Sequence, residues 1–256
     1  MSKPIDRKWT YSGRELESMS FAINYHRWIL DIFRPFLGKR IVEVGAGSGS
    51  FSELILETRP QSLDSIEPSS NMYPLLAEHL QAIDSNHIAH AYQGTLIENV
   101  ESIRTAGAPD SIIYVNVLEH IEDDARELAA MNSLLRPGGH ALIFVPAMSW
   151  LMGSMDRQLG HFRRYTTSDL PDKCRNAGFK IRLCSYFDLL GIVPWWVKYC
   201  LLHSSTMEPS AVRFYDRYVV PFSRSFEGVI GHPIGKNVIL VAEKAEDRSA
   251  TVPEAH

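Results

Sequence analysis

Three groups of residues in this 256-residue sequence combine types and spacing that can do chemistry. The first is Gly45-Ala46-Gly47-Ser48-Gly49-Ser50, entered from the apolar run Ile41-Val42-Glu43-Val44 and left through Phe51, Leu54 and Ile55 at helical spacing. A strand, a glycine turn and a helix in that order allow positive φ and remove the Cβ atoms that would keep a ligand off the backbone. The spacing is G-x-G-x-G, whereas a dinucleotide fingerprint needs its third glycine one position later, where this chain has Ser50, and that departure argues against NAD. The second group is Glu67, at the end of the next apolar run 18 positions after Gly49. A carboxylate there can accept hydrogen bonds from both hydroxyls of a ribose, so the ligand expected is adenosine-like. The third is the loop Asp156-Arg157-Gln158-Leu159-Gly160-His161-Phe162-Arg163-Arg164-Tyr165-Thr166, which concentrates a histidine, an acid and several arginines.

The elements that position these groups follow from hydrophobic periodicity. Apolar runs predict strands at Arg40–Val44, Ser62–Glu67, His87–Tyr92, Ser111–Asn116, His140–Pro146, Lys180–Tyr186 and Val238–Glu243. Between the second and third, Met72, Leu75, Leu76, His79, Leu80 and Ile83 make one stripe of a 3.6-period helix, with Ser69 or Ser70 as the expected N-cap. Between the fourth and fifth, Leu118, Ile121, Ala125, Leu128 and Leu135 mark another, stopped by Pro137-Gly138-Gly139. Leu16, Met19, Ile23, Trp28, Ile29 and Phe33 predict a leading helix or helix pair, and Thr166 or Thr167 is expected to cap a helix opened by Asp169. Alternation of strands and helices is the signature of an α/β fold: a doubly wound, seven-stranded, mostly parallel sheet covered by helices on both faces.

One stretch breaks the rhythm. Residues 188–233 are far longer than an ordinary connection of about 4 to 6 residues and dense in aromatics, so a helical insertion before the last strand is expected. The organisation expected is an N-terminal helical segment (1–38), a cofactor-binding core (39–186), the insertion (187–233), the last strand of the core (234–244) and a polar tail (245–256). The insertion has three readings: a lid whose aromatics form an acceptor pocket, a homodimer interface, or a patch on a membrane surface. The lid is favoured by its attachment near the carboxyl-end crevice, and the membrane reading is weakened because Lys198, Arg213, Arg217 and Arg224 are interleaved with acids.

Composition narrows the function classes. Hydrophobic residues at 45% and charged residues at 22% support a sizeable core, and 26 basic against 30 acidic residues, net −4, give no reason to bind a phosphate backbone. Cys174, Cys184 and Cys200 fit neither a disulfide framework nor a C-x-x-C motif and are read as reduced structural thiols. No run approaches the roughly 18 apolar residues of a membrane span, so stable membrane insertion is not expected and a cytoplasmic location is.

The sequence resembles the class I S-adenosylmethionine-dependent methyltransferases, in particular the branch of ubiquinone-biosynthesis O-methyltransferase-like proteins. The resemblance covers roughly residues 24 to 186 and returns for the last strand. It is carried by Val42-Glu43-Val44-Gly45-Ala46-Gly47-Ser48-Gly49, by Ile66-Glu67-Pro68, by the segment from Asp110 through Tyr114-Val115-Asn116-Val117-Leu118-Glu119-His120 to Asp123, and by Leu134-Leu135-Arg136-Pro137-Gly138-Gly139. It implies S-adenosylmethionine as cofactor and no metal. By this likeness Glu43, Gly45 and Gly47 line the methionine end, Glu67 holds the ribose, Thr95 and Leu96 lie beside the adenine, Asn116 and Val117 border the methyl group, and Tyr25 resembles a tyrosine that reaches the cofactor carboxylate. Where many members carry Asp, this chain has Thr95, which leaves adenine contact there to backbone groups or the hydroxyl.

Methyl transfer is an in-line displacement, so much of its catalysis comes from positioning two reactants. An O–H or N–H acceptor also loses a proton, a role for which His161 suits, with Asp156 orienting or replacing it. His161 and the two arginines equally suit tying the loop to carboxylates such as Asp169. The function expected is methylation of a small apolar or aromatic molecule. Methylation of a protein or RNA is disfavoured by the acidic balance, a scaffold that binds the cofactor without catalysis stays open, and a dehydrogenase is weakened by the glycine spacing.

Overall fold

The computed structural model describes residues 21–246, so Leu16 and Met19 of the leading helix, and the tail beyond residue 246, lie outside the described residues. Strands β1 (Arg40–Val44), β2 (Ser62–Glu67), β3 (Ala89–Gln93), β4 (Ser111–Val115), β5 (His140–Pro146), β6 (Phe179–Phe187) and β7 (Asn237–Lys244) form one seven-stranded sheet in the order β3-β2-β1-β4-β5-β7-β6. All pairings are parallel except those of β7, which runs antiparallel to both β5 and β6. The doubly wound mostly parallel sheet expected from the sequence is therefore the fold. Strand ends shift by one or two residues at β3, β4, β6 and β7, and at two of them the reason lies in the backbone: His87 at φ 55° and Asn116 at φ 54° sit in the left-handed region.

The central strands are buried on both faces, and successive residues feed opposite layers. Ile41, Ile113, Leu142 and Phe144 pack with α1 (Ile23–Phe33) and α2 (Ser50–Glu57), whereas Val42, Val44, Ile112, Tyr114 and Ile143 pack on the other side with α4 (Leu96–Ala106) and α5 (Asp124–Leu134). Between α2 and α4 runs α3 (Tyr73–Ile83). Its N-cap is Met72 with no side-chain bond, neither of the expected serines, because a turn in which the Met72 and Tyr73 N–H groups donate to the Ser69 carbonyl precedes the helix. Leu118 and Ile121 also fall outside their expected helix, in and just after a 3₁₀ turn Leu118–His120, and α5 starts at Asp124 with the Asp123 carboxylate accepting from the Arg126 N–H. After β5 come α6 (Ser154–Leu159) and α7 (Asp169–Asn176). The N-cap of α7 is Ser168 with no side-chain cap bond, neither Thr166 nor Thr167, although the Thr166 hydroxyl accepts from the Asp169 N–H at 3.1 Å and the Thr166 N–H donates to the Asp169 carboxylate.

The insertion is helical, as expected. It comprises α8 (Ile192–Trp195) running on as a π-helical segment Trp196–Leu201, then α9 (Pro209–Phe214), a second π-helical segment Tyr215–Val219 and α10 (Val220–Ile230). Two buried acids hold it, one against the core and one across the insertion itself. Asp216 accepts the N–H groups of Asn24 (3.1 Å) and Tyr25 (2.8 Å), satisfying two orphan donors of the first turn of α1. Glu227 accepts from the Asp188 and Leu189 N–H groups and the Ser223 hydroxyl.

Candidate active site

A cavity of about 940 Å³ lies at the carboxyl ends of β1, β2 and β4, where ligands of doubly wound sheets bind. Tyr25, Glu43, Gly45, Gly47, Glu67, Thr95, Leu96, Asn116, Val117 and His161 all line it; Asp156 does not.

At the glycine end, Gly45 (φ 72°) and Gly47 (φ 58°) adopt the backbone that only glycine takes at little cost. The Gly45 and Ala46 N–H groups donate to the Ile66 carbonyl, tying the turn to β2. The Gly47 N–H donates to one Glu67 oxygen and the Ser69 N–H to the other, each at 2.8 Å. Each oxygen keeps an acceptor position, so Glu67 can brace the turn and take two ribose hydroxyls together. Glu43 accepts from the hydroxyls of Ser52 and Ser65, and burial pushes its carboxyl up to about 7 against those two bonds. The Tyr25 hydroxyl meets Asp188 at 3.1 Å and Asn237 at 3.0 Å, with its ring packed on Phe144 and Phe187. Thr95 is the N-cap of α4 in a full capping box with Glu98, which engages both its N–H and its hydroxyl.

At the far end, Asp156 is fully buried and saturated: its oxygens take the Gly153 N–H, the Arg164 guanidinium through two bonds at 2.8 and 3.0 Å, and His161 Nδ1 at 2.8 Å. Burial opposes its charge, but the His161 and Arg164 contacts outweigh burial and hold the carboxyl below its usual range. Such a carboxylate fixes the imidazole with its proton on Nδ1 and Nε2 free to accept. Asp156 therefore has the geometry of an orienting group. The arginines do tie the loop to carboxylates, though to Asp156 and to Asp124, which Arg163 meets at 2.6 Å, and not to Asp169, which is occupied with Thr166.

Sequence reasoning singled out His161 but passed over Glu119, which lines the same cavity and is fully buried with no hydrogen-bond partner on either oxygen. Its place in the turn after β4, at the carboxyl end of a central strand, was the available signal. Burial raises its carboxyl to about 7 despite the opposing charges of His161 and Arg164, and burial followed by His161 lowers His120 to about 4. The two imidazole rings meet edge to face at 4.5 Å. One ligand atom from each of Glu119, His120 and His161 lies within 4.8 Å of the others, a spacing at which a divalent cation can be held. Lys236, paired with Asp188 at 3.0 Å and set over the Tyr25 and Trp195 rings, is a further lining residue with no sequence signature.

The raised Glu119 carboxyl has a stability consequence. Between pH 4.5 and about 7 the folded chain holds a proton that the unfolded chain releases, so stability falls as pH rises through that window and levels off above it. Glu119→Gln removes the ionisation. In urea unfolding with chelator present the variant should exceed the wild type at pH 8 by about 3 kcal/mol and match it near pH 4. An equal difference at both pH values would mean that Glu119 is not held protonated by the fold.

Residues 21–183 match the family model described as a methyltransferase domain. Among curated proteins, the ubiquinone biosynthesis O-methyltransferase of Marinobacter nauticus is 25% identical over 158 residues, 57% of this chain and 65% of that protein. The same-named protein of Aeromonas salmonicida is 32% identical over 116 residues, 45% of this chain and 47% of that protein. The matched stretch thus spans from about half to just under two thirds of these relatives' length. Among solved structures, Haemonchus contortus phosphoethanolamine N-methyltransferase 2 in complex with S-adenosyl-L-methionine superposes with a TM-score of 0.60 at 15% identity, over 92% of this chain and 59% of that chain, which shows a shared fold. Since the family match takes in more than half of the chain, the protein belongs to the methyltransferase-domain family.

Proposed function

We propose that the chain methylates a small aromatic or otherwise apolar molecule at O, N or C, with S-adenosylmethionine as donor. The observation that carries this reading is the continuity of one cavity, from the glycine turn and Glu67, past Glu119, His120 and His161, to an apolar compartment bounded by Trp195, Tyr199 and Tyr215 of the insertion. The donor set fits the cofactor: two side-chain-free turn positions, and a carboxylate with an acceptor position left on each oxygen for two ribose hydroxyls. When bound there, S-adenosylmethionine supplies an electrophilic methyl group on a sulfonium.

The chain's own residues do the rest. Glu67 binds and the side-chain-free turn lets the ligand approach the backbone, while Asn116 and Val117 border the reacting end. The insertion aromatics hold the acceptor and exclude water. For an O–H or N–H acceptor, His161 Nε2 takes the departing proton, and Asp156 holds the ring in the tautomer that lets it do so. The test is incubation with methyl-labelled cofactor and fractionated cell extract. Label is expected in an organic-extractable small molecule; label in protein or RNA overturns the substrate class, and binding without transfer to any fraction leaves a scaffold.

A second reading rests on the unpartnered Glu119 oxygens: a divalent cation on Glu119, His120 and His161, with Asp156 behind His161 in a carboxylate–histidine–metal arrangement. Chelation separates the two. If His161 is a base, turnover is unchanged after exhaustive treatment with chelator. Activity lost on chelation and restored by magnesium or zinc gives the trio to a metal.

A further inference from the structure

The outer face of the insertion differs from the rest of the surface. Phe214, Tyr218, Phe222, Phe226 and Val229 recur every four or three residues along the helical run from α9 through α10, and all are exposed, Val229 at 85%. Phe214 and Tyr218 lie 5.2 Å apart and Phe222 stacks on Phe226, so the ridge is a row of rings packed on one another. A soluble monomer rarely leaves such a ridge uncovered.

Charge indicates what covers it. In the sequence, acids and bases alternate through this segment; in the fold they separate. Asp216 is buried against the first turn of α1, and Glu227 and Asp188 are buried within the insertion, which leaves Glu208 as its one exposed acid among the described residues. Arg213, Arg217 and Arg224 are exposed at i, i+4 and i+11, a row along the helix flank beside the rings. Arg217 lies over the Tyr218 ring at 5.6 Å and Arg224 reaches Asp31 at 2.8 Å. This basic flank sits on a chain of net charge −4. A second copy docked on the ridge about a two-fold axis would set one basic-flanked helical run against another, where the insertion offers no exposed acid but Glu208 to pair with the arginines. An anionic bilayer instead accepts rings at the acyl boundary and guanidinium groups among phosphates, as for helices lying in the membrane plane. No helix among the described residues is long and apolar enough to cross a membrane.

We propose that the ridge from Phe214 to Val229 docks the protein onto the surface of an anionic phospholipid bilayer. The inner face of the same helical run, at Ala211, Val212 and Tyr215, lines the cavity, so docking holds that compartment beside the lipid. The inference is independent of the acceptor's identity, and its test involves no methyl transfer.

The test is co-sedimentation of the full chain with vesicles of phosphatidylglycerol and phosphatidylcholine in equal parts, against vesicles of phosphatidylcholine alone. The protein should pellet with the anionic vesicles about tenfold more strongly than with the neutral ones, and high salt should weaken the binding. Phe222→Ser with Phe226→Ser, and separately Arg213→Glu with Arg217→Glu, should each lower vesicle affinity about tenfold or more while circular dichroism and cofactor affinity stay unchanged. Wild-type protein that stays in the supernatant overturns the proposal, as do variants that pellet like the wild type. A ring variant that turns a dimer into a monomer in sedimentation without changing pelleting gives the face to a second copy.

Discussion

Gly47→Val should abolish S-adenosylmethionine binding in calorimetry, a loss of about a hundredfold or more. Gly47 sits at φ 58°, where a β-branched residue costs about 1–3 kcal/mol of backbone strain, and it lines the cavity, so the valine methyls stand in the ligand's space. Its N–H also braces Glu67, so displacing the turn disturbs the carboxylate that would hold the ribose. Gly138→Val separates strain from occlusion. Gly138 has φ 72°, open space around its missing Cβ and no place in the cavity, so valine there should lower stability and leave cofactor affinity intact. Glu67→Ala should weaken binding by about 1 to 3 kcal/mol, the cost of charge-assisted hydrogen bonds left unmade. Wild-type affinity in Glu67→Ala would sink the ribose assignment, and tighter binding of NAD than of S-adenosylmethionine would sink the cofactor.

His161→Ala should lower turnover by about 10² to 10⁴ for a hydroxyl or amine acceptor while sparing cofactor affinity, because His161 lies at the acceptor end and removal of a positioned base acts on the chemical step. Asp156→Asn tests the orienting role, with a stability control: every partner of Asp156 is a donor and Arg164 is a buried cation, so the amide loses the countercharge and one oxygen's bonds, and turnover should fall with little change in acceptor KM in protein that urea unfolding shows to be folded. Asp156→Ala is the harsher probe, since it removes both oxygens beside the buried Arg164 and threatens the loop itself, at about 3 to 5 kcal/mol. Unchanged turnover in His161→Ala would leave positioning without a side-chain base as the mechanism.

The cofactor end was legible because it is local. The Gly45–Gly49 turn, the strand before it and Glu67 at the next strand end are fixed by short-range rules of backbone conformation and sheet topology, and ten of the eleven expected site residues line one cavity. The misplaced caps have a physical cause as well. Ser69 has the residue type of an N-cap, but its carbonyl closes a turn with the Met72 and Tyr73 N–H groups before the helix begins, which pattern alone does not resolve. The acceptor end was legible only in part. His161 and Asp156 lie five residues apart and their pairing follows from one loop, whereas the approach of Glu119 to His161 needs β4, β5 and α6 to be in place.

The sequence alone determined the seven strands, their alternation with helices, the glycine turn and the presence of an insertion, because each rests on periodicity or on a residue type with a narrow backbone range. Only the tertiary structure decided which charges the insertion shows to solvent. By sequence its acids and bases alternate; in the fold Asp216 goes to the first turn of α1 and Glu227 to the Asp188–Leu189 turn, and the arginines stay outside. Burying a carboxylate is costly unless donors meet it, and the backbone N–H groups that meet Asp216 come from a segment up to 192 residues away.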